Sequence, residues 1–376
     1  MDRIGILTFH WADNFGAVLQ TYALQQVLTQ MGADVNIINF VPANLSIDYQ
    51  LFVNPVKLTQ LRGLKATVLT YASRIKRFTQ VKKRVSSYGD FRRKYLRLSG
   101  DAFENIETLK KICEELDICI VGSDQVWNPD FLSLCNNAYL LPFKLSLAKK
   151  VSYAASVSCC LNESWMELFK EHLKSFWRIS VREEITCTEL SSIINRQIYH
   201  VLDPTLLLDV EDYAKVEKSI TNIETERYLL VYNFGTDPLP IAERIAEQLN
   251  VPIVVFNKPR KYQLKRFYRE FSDAGPGEFL SLVKNAEYVV TNSYHGTIFS
   301  IIFGKPFITV PHATRSVRMI ELLKCLELDD RIVKDVNDLP VKHIDMDSSR
   351  YNISKEILKE KQRFSIKFLE SVIGDD

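Results

Sequence analysis

The stretch Ile4-Gly5-Ile6-Leu7-Thr8-Phe9-His10-Trp11-Ala12-Asp13-Asn14-Phe15-Gly16 decides the fold. Ile4–Phe9 is a short apolar run with turn signals behind it, which reads as a buried strand. Beyond the turn, Phe15, Val18, Leu19, Tyr22, Leu24 and Leu28 recur at helical spacing up to Met31. Asp13 or Asn14 is placed to cap that helix. Val35–Phe40 follows as a second strand. Strand, helix, strand is the opening of a parallel α/β sheet.

The rhythm continues outward. Leu116–Val121, Lys150–Ala154, Ile179–Val181 and Tyr199–Leu202 read as strands, with helices at Ser164–Lys174 and Glu183–Asn195. Thr205–Glu226 carries few signals and suits a linker. A second block follows, with strands Tyr228–Tyr232, Val251–Phe256, Tyr288–Thr291 and Pro306–Val310. Its helices are Leu239–Leu249, Gly277–Asn285, Gly296–Phe303 and Val317–Cys325. The expected architecture is α/β, with two Rossmann-like doubly wound domains, 1–205 and 206–350. Residues 351–376 hold a last helix, Ser354–Ile373, that returns to the first domain. Such sheets bind ligands beyond their strand C-termini, so a cleft between the domains is expected.

One segment breaks the pattern. Residues 57–98 hold thirteen Lys/Arg and one acid, Asp90, a charge of +12, whereas the remainder carries −10. Leu58, Leu61, Leu64, Val68, Tyr71, Ile75, Phe78, Val81, Val85, Tyr88, Phe91, Tyr95 and Leu98 step by three or four. This predicts a basic helical insert with one apolar stripe, either a single long helix or two broken near Gly89. Charge asymmetry of this kind points to an anionic partner.

Composition excludes several classes. The chain has 376 residues, 46% hydrophobic and 25% charged, with a net charge of +2, which suits a globular protein and not a disordered or fibrous one. No apolar run approaches the roughly 18 residues of a membrane span. The N-terminus reads into a strand and not into a signal peptide. The seven cysteines lack metal-ligand spacing, so buried thiols in a reducing, cytoplasmic setting are expected.

Four loops carry the candidate chemistry. In the first, Thr8 to Gly16, Gly16 and the helix N-terminus suit an anion or hydroxyls, or Asp13 and Asn14 serve only as caps. The segment is not GxGxxG. In the second, Gly122-Ser123-Asp124-Gln125-Val126-Trp127-Asn128, polar groups surround an aromatic ring, which suits a sugar; the alternative is a structural turn. In the third, Arg182 follows the strand Ile179–Val181, its planar fork matched to a carboxylate or phosphate or to an ion pair with Glu183 or Glu184. In the fourth, Thr291-Asn292-Ser293-Tyr294-His295-Gly296-Thr297, Ser293 is a candidate cap. His295 lies in the first helical turn, and the amides of Gly296 and Thr297 are placed to meet an anion. Arg315 and Arg318 follow the next strand, as phosphate contacts or surface residues.

In order, these loops resemble the polysaccharide pyruvyl transferase family. The matching stretches are Asn14-Phe15-Gly16 with Leu19-Gln20-Thr21-Tyr22-Ala23-Leu24, and Val121 to Asn128. Ser152-Tyr153-Ala154-Ala155-Ser156, Ile179-Ser180-Val181-Arg182-Glu183, Leu202-Asp203-Pro204-Thr205-Leu206-Leu207-Leu208 and Thr291 to Thr297 complete the set. The likeness spans roughly residues 3–330; the insert does not align. It implies a GT-B-like pair of domains and a phosphoenolpyruvate-dependent transferase of polysaccharide biosynthesis. Two hydroxyls of a sugar in an exopolysaccharide or capsule precursor add to the enol carbon, giving a pyruvate ketal and phosphate. Phosphoenolpyruvate is a co-substrate, and no metal or redox cofactor is implied.

The resemblance makes the first domain the acceptor side and the second the donor side. Arg182, Ser293, His295, Gly296, Thr297 and Arg318 are the expected donor-binding set, with His295 as general acid. Asn14, Gly16, Ser123, Gln125 and Trp127 are the expected acceptor set, with Asp13 or Asp124 as base. A lipid-linked acceptor would bring the cationic stripe to the inner face of an anionic membrane; the alternative is a solvated helix packed on the first domain. A GT-B glycosyltransferase using a nucleotide sugar is the competing enzyme, with Glu270, Asp273 and Glu278 as the nearest acidic candidates. Nucleic-acid binding by 57–98 is disfavoured, because Tyr71, Phe78, Tyr88, Phe91 and Tyr95 lie on the apolar stripe and not in a groove.

Overall fold

The computed structural model describes residues 1–46, 49, 55–159, 161–220, 223, 227–233, 238–256, 262–311, 316–339 and 348–374, and only the backbone of 57, 61, 62, 74 and 348–351. The chain divides into two compact units, Met1–Leu207 with Phe364–Asp376, and Leu208–Arg363.

The first unit opens with β1 (Arg3–Leu7), α1 (Phe15–Gln30), β2 (Asp34–Ile37) and the short α2 (Ala43–Ser46). The insert forms α3 (Pro55–Arg62), α4 (Leu64–Lys76) and α5 (Phe78–Tyr95). Then come α6 (Ile106–Glu114), β3 (Ile118–Val121), α7 (Pro129–Leu132), β4 (Lys149–Ala155) and α8 (Glu163–Leu173). β5 (Arg178–Val181), α9 (Glu184–Ile194) and β6 (Tyr199–His200) complete it. The strands are all parallel, in the order β2-β1-β3-β4-β5-β6. Parallel sheets are covered on both faces, so their strands read as continuous apolar runs. Ile118-Cys119-Ile120-Val121 is buried at every residue.

α1 is buried around most of its surface. Most of its buried polar groups find partners inside the unit. Gln20 Nε2 donates to Thr8 Oγ1 at 2.9 Å. Gln25 donates to the Tyr95 carbonyl and accepts from the Arg97 amide. Its covering layer is the C-terminal half of α5: Tyr88 stacks on Phe15 at 5.7 Å, and Phe91 meets Tyr22 edge-on at 6.1 Å. Burying one such ring contributes roughly 2–3 kcal/mol.

The insert departs from both expectations. It is three helices, broken at Gly63, whose φ of +81° admits few other residues, and again at Arg77. Gly89 lies inside α5. The apolar stripe is also split. Tyr88 and Phe91 are buried, whereas Leu64, Val68 and Ile75 are exposed.

The second unit contains α10 (Val210–Ala214), β7 (Leu229–Tyr232), α11 (Pro238–Leu249), β8 (Ile253–Phe256), β9 (Phe267–Glu270) and α12 (Pro276–Asn285). β10 (Tyr288–Thr291), α13 (Tyr294–Ile302), β11 (Phe307–Thr309) and α14 (Val317–Cys325) follow. Its parallel sheet runs β11-β10-β7-β8-β9. The strand β9 and the helix α6 escape the sequence reading; three of the four β9 side chains are exposed, so no apolar run marks it. Part of the expected linker is ordered by Pro204–Leu207 and α10, and residues 221–222 and 224–226 lie outside the described residues.

The last helix, α15 (Ser348–Glu370), joins the first unit from Phe364 onward. Ser365 Oγ accepts from the Leu202 amide at 3.0 Å, and Phe368 packs against Tyr199 and Tyr153. The thiols are not uniformly buried. Cys113, Cys119 and Cys135 are, Cys187 and Cys325 are half-buried, Cys159 is exposed, and Cys160 lies outside the described residues.

Candidate functional site

In a doubly wound sheet, ligands bind beyond the strand C-termini where the strand order reverses. The first sheet reverses between β1 and β3, and the second between β7 and β10. The loops at these two points are His10–Asn14 with Gly122–Asn128, and Asn233 onward with Asn292–His295.

At the first switch point, Asn14 is the cap of α1, its side chain accepting from the Ala17 amide at 3.2 Å. Gly16 sits in the first helical turn and is buried. Asp13 is instead an ion-pair partner: Arg92 of α5 lies 2.9 Å from its Oδ1 and also donates to the Trp11 carbonyl. Burial pushes the Asp13 carboxyl pKa up, against the pull of that guanidinium. Its Oδ2 is buried without a hydrogen-bond partner among the described residues. His10 is fully buried, with its ring nitrogens 3.1 Å from the Thr8 carbonyl and 3.0 Å from Asn39 Oδ1. Burial dominates there and lowers its pKa to about 4.

Across the switch, Thr8 Oγ1 donates to the Ser123 carbonyl at 2.8 Å and ties β1 to β3. Asp124 has a φ of +81°, uncommon for a residue with a side chain. Its Oδ1 accepts from the Gln125 amide, and its carbonyl accepts from Ser156. Gln125 is half-buried and accepts from Asn128. Trp127 corrects the sugar-stacking expectation. Its ring is 0% exposed, lies edge-on to Phe169 and Phe176, and donates its N–H to the Tyr139 carbonyl at 2.9 Å. Both faces are inside the core, so no sugar can stack on it.

Arg182 lies at the end of β5 with its side chain 1% exposed. Its Nη1 is 2.7 Å from Asp203 Oδ2, and its Nε is 3.7 Å from Glu183 Oε1. The ion-pair alternative is thus realised, with Asp203 as the nearer partner and not Glu184. Asp203 also accepts from Ser123 Oγ at 3.2 Å and from the Thr205 amide and hydroxyl. Glu183 in turn accepts from Ser156 Oγ, which is 2.6 Å from Ser158 Oγ. Arg182, Asp203, Ser123 and Thr205 therefore form one buried network.

At the second switch point, Thr291 Oγ1 donates to the Tyr232 carbonyl at 2.6 Å and accepts from the Ser293 amide at 3.0 Å, locking β10 to β7. Ser293 caps α13. Its Oγ accepts from the Gly296 amide at 3.3 Å, and its carbonyl accepts from the Thr297 amide at 3.0 Å. The expectation that these two amides meet an anion is corrected, because the cap already uses both. The Thr297 hydroxyl is likewise turned inward, to Ser293 and Thr309. Gly296 is required by space: a Cβ would fall 2.4 Å from Thr291 Oγ1. His295 stands in the first turn of α13, edge-on to Tyr294 at 5.3 Å, and the half-buried Arg318 lies over the Tyr294 ring at 5.1 Å. The structure thus brings His295 and Arg318 against the same tyrosine. Arg315 lies outside the described residues.

Sequence reasoning did not single out Asp203, Ser156, Arg92 or His10 as site residues. Arg182 and Asp203 are 21 residues apart, and only the adjacency of β5 and the segment after β6 unites them. An aspartate directly before Pro204 at a strand end was the one local signal.

A model of the family described as polysaccharide pyruvyl transferase matches residues 14–314. No curated protein is similar in sequence at a significant level. Solved structures resemble the chain in fold. A UDP-N-acetylglucosamine 2-epimerase is 9% identical with a TM-score of 0.57, over 98% of this chain and 95% of that one. The UDP-GlcNAc 2-epimerase from Neisseria meningitidis, bound to UDP-GlcNAc, is 10% identical with a TM-score of 0.50, over 98% and 93%. These likenesses place the two Rossmann-like units in the GT-B-like class. Fold does not specify chemistry.

Proposed function

Since the chain belongs to the polysaccharide pyruvyl transferase family, we propose that it transfers the enolpyruvyl carbon unit of phosphoenolpyruvate to two hydroxyls of a sugar in a surface-polysaccharide precursor. The second unit is assigned the donor and the first the acceptor, the latter carried on a lipid at the inner face of a membrane. The observation that carries the reading is the second switch point, where His295, in a turn Thr291–Thr297 without a carboxylate, and Arg318 of α14 both lie against Tyr294. An anionic donor needs cationic groups and the absence of competing acids.

The chemistry balances as follows. The donor methylene gains one proton, which leaves the central carbon oxocarbenium-like. One sugar hydroxyl attacks that carbon and the other closes the ring as the C–O bond to phosphate breaks. Of the two hydroxyl protons released, one offsets the proton taken by carbon and the other leaves on phosphate. His295 contacts the donor phosphate and serves as general acid. Asp13 serves as the base ahead of Asp124, since burial raises its proton affinity and one of its oxygens lacks a partner. Arg182 is a positioning residue, because its guanidinium is committed to Asp203 and Glu183. No metal or redox group enters any step.

Thermal unfolding with phosphoenolpyruvate, phosphate, UDP and GDP tests the reading. Phosphoenolpyruvate is expected to raise the Tm of the wild type, with the rise lost in Arg318→Ala. At about 100 times Kd the stabilisation is about 2.7 kcal/mol. A rise with UDP or GDP alone would overturn it in favour of a nucleotide-sugar glycosyltransferase.

A further inference from the structure

The basic insert carries an apolar face that the first unit leaves uncovered. On α4, Leu64, Val68 and Ala72 follow at intervals of four, and Ile75 falls on the same side, one stripe of a helix with 3.6 residues per turn. Leu64 is 69% exposed, Val68 59% and Ile75 74%, with Leu69 at 62% beside them. The adjoining side of α4 faces α3: Thr67 is buried and bonded to Thr59 at 3.2 Å, and Tyr71 packs on the buried Leu58. Lys65 and Lys76 border the stripe, and Lys82 follows on α5, all three exposed.

We propose that this face of α4 docks on an anionic phospholipid bilayer, with the aliphatic stripe in the interfacial zone and the lysines at the headgroups. An apolar stripe bordered by lysines matches the layered chemistry of such a surface. A second copy of the chain is the wrong complement. An isologous contact would bring one +12 segment against another. Nucleic acid would use the cations but leave the aliphatic side chains idle, and the aromatic rings Tyr88 and Phe91 are already buried against α1. The same insert ends at the first switch point: from Phe78 to Arg92, which holds Asp13, is about 21 Å along α5. The helix that follows the docking face therefore ends against the loop proposed to receive a lipid-borne sugar. The inference deepens the lipid-linked reading above, but its readout contains no catalytic step.

The test is flotation of the full chain with vesicles of phosphatidylcholine, with and without about 30% phosphatidylglycerol, at low salt and at about 0.5 M salt. The wild type is expected to float with the anionic vesicles at low salt only. Two triple variants separate the contributions: Leu64→Ser with Val68→Ser and Ile75→Ser, and Lys65→Glu with Lys76→Glu and Lys82→Glu. Each is expected to lower partitioning about a hundredfold, with the unfolding profile of the wild type retained because the sites are exposed. Absence of wild-type flotation would overturn the proposal. So would flotation unchanged in the serine variant, or a wild-type dimer in sedimentation velocity that the serine variant disperses. Loss of the phosphoenolpyruvate-induced Tm rise would sink the pyruvyl-transfer reading and leave this one standing.

Discussion

Beyond the strand C-termini of the first sheet, charges meet charges. Arg182 lies against Asp203 and Glu183, and Asp13 against Arg92, all of them inside the unit. At the switch point of the second, hydroxyls and amides close the turn through Thr291 and Ser293, and the segment Thr291–Thr297 carries a histidine and no acid. The C-terminal ends of the two sheets are thus built once from buried ion pairs and once from a neutral scaffold that holds a buried imidazole. A buried ion pair costs desolvation that only its partner offsets. Changes at the first point should therefore be read in stability, and changes at the second in ligand binding.

The sharpest way to break this contrast is Asp203→Ala. It removes the 2.7 Å carboxylate partner of Arg182 and the acceptor of Ser123 and Thr205. The expected loss is about 3–5 kcal/mol, read by thermal or urea unfolding. A loss below about 1 kcal/mol would mean that the network is not structural. The next largest effect is a pH dependence. The folded-state pKa of His10 is lowered from 6.5 to about 4. As pH falls through 6.5, the unfolded chain binds a proton that the folded chain refuses until about pH 4. Stability is therefore fully present above pH 6.5 and is lost toward pH 4, by up to about 3 kcal/mol. His10→Gln should flatten that slope; an unchanged slope would assign it to other groups.

How far the sequence alone reaches differs along the chain in a physically sensible way. Both switch-point strands were legible, because strands buried on both faces read as apolar runs such as Ile118–Val121. The caps Asn14 and Ser293 were legible, because capping depends on a few consecutive residues. Trp127 was misread, because polar neighbours in sequence say nothing of which side of the chain a ring takes. The fate of Arg182 depended on Asp203, a contact set by strand order. Periodicity identified the stripe of the insert, but not where its cover ends. Phe91 and Ile75 occupy the same stripe in the sequence, and only packing against α1 distinguishes them.

The second switch point should respond in smaller steps. Gly296→Ala places a Cβ 2.4 Å from Thr291 Oγ1, a hydroxyl already held by the Tyr232 carbonyl and the Ser293 amide. The hydroxyl cannot yield without unlocking β10 from β7, so the expected cost is about 1–3 kcal/mol, together with weaker phosphoenolpyruvate binding. His295→Gln is the mildest change to the fold and the most informative about the site. Glutamine nearly fills the volume of the ring, and the cap, the Thr291 bridge and the Gly296 contact do not involve the imidazole. Stability should therefore fall less than in Asp203→Ala, while the Tm rise with phosphoenolpyruvate is lost. If the rise persists and turnover falls, His295 moves protons without holding the donor. If stability drops as far as in Asp203→Ala, the second switch point is also a structural network, and the contrast between the two units fails.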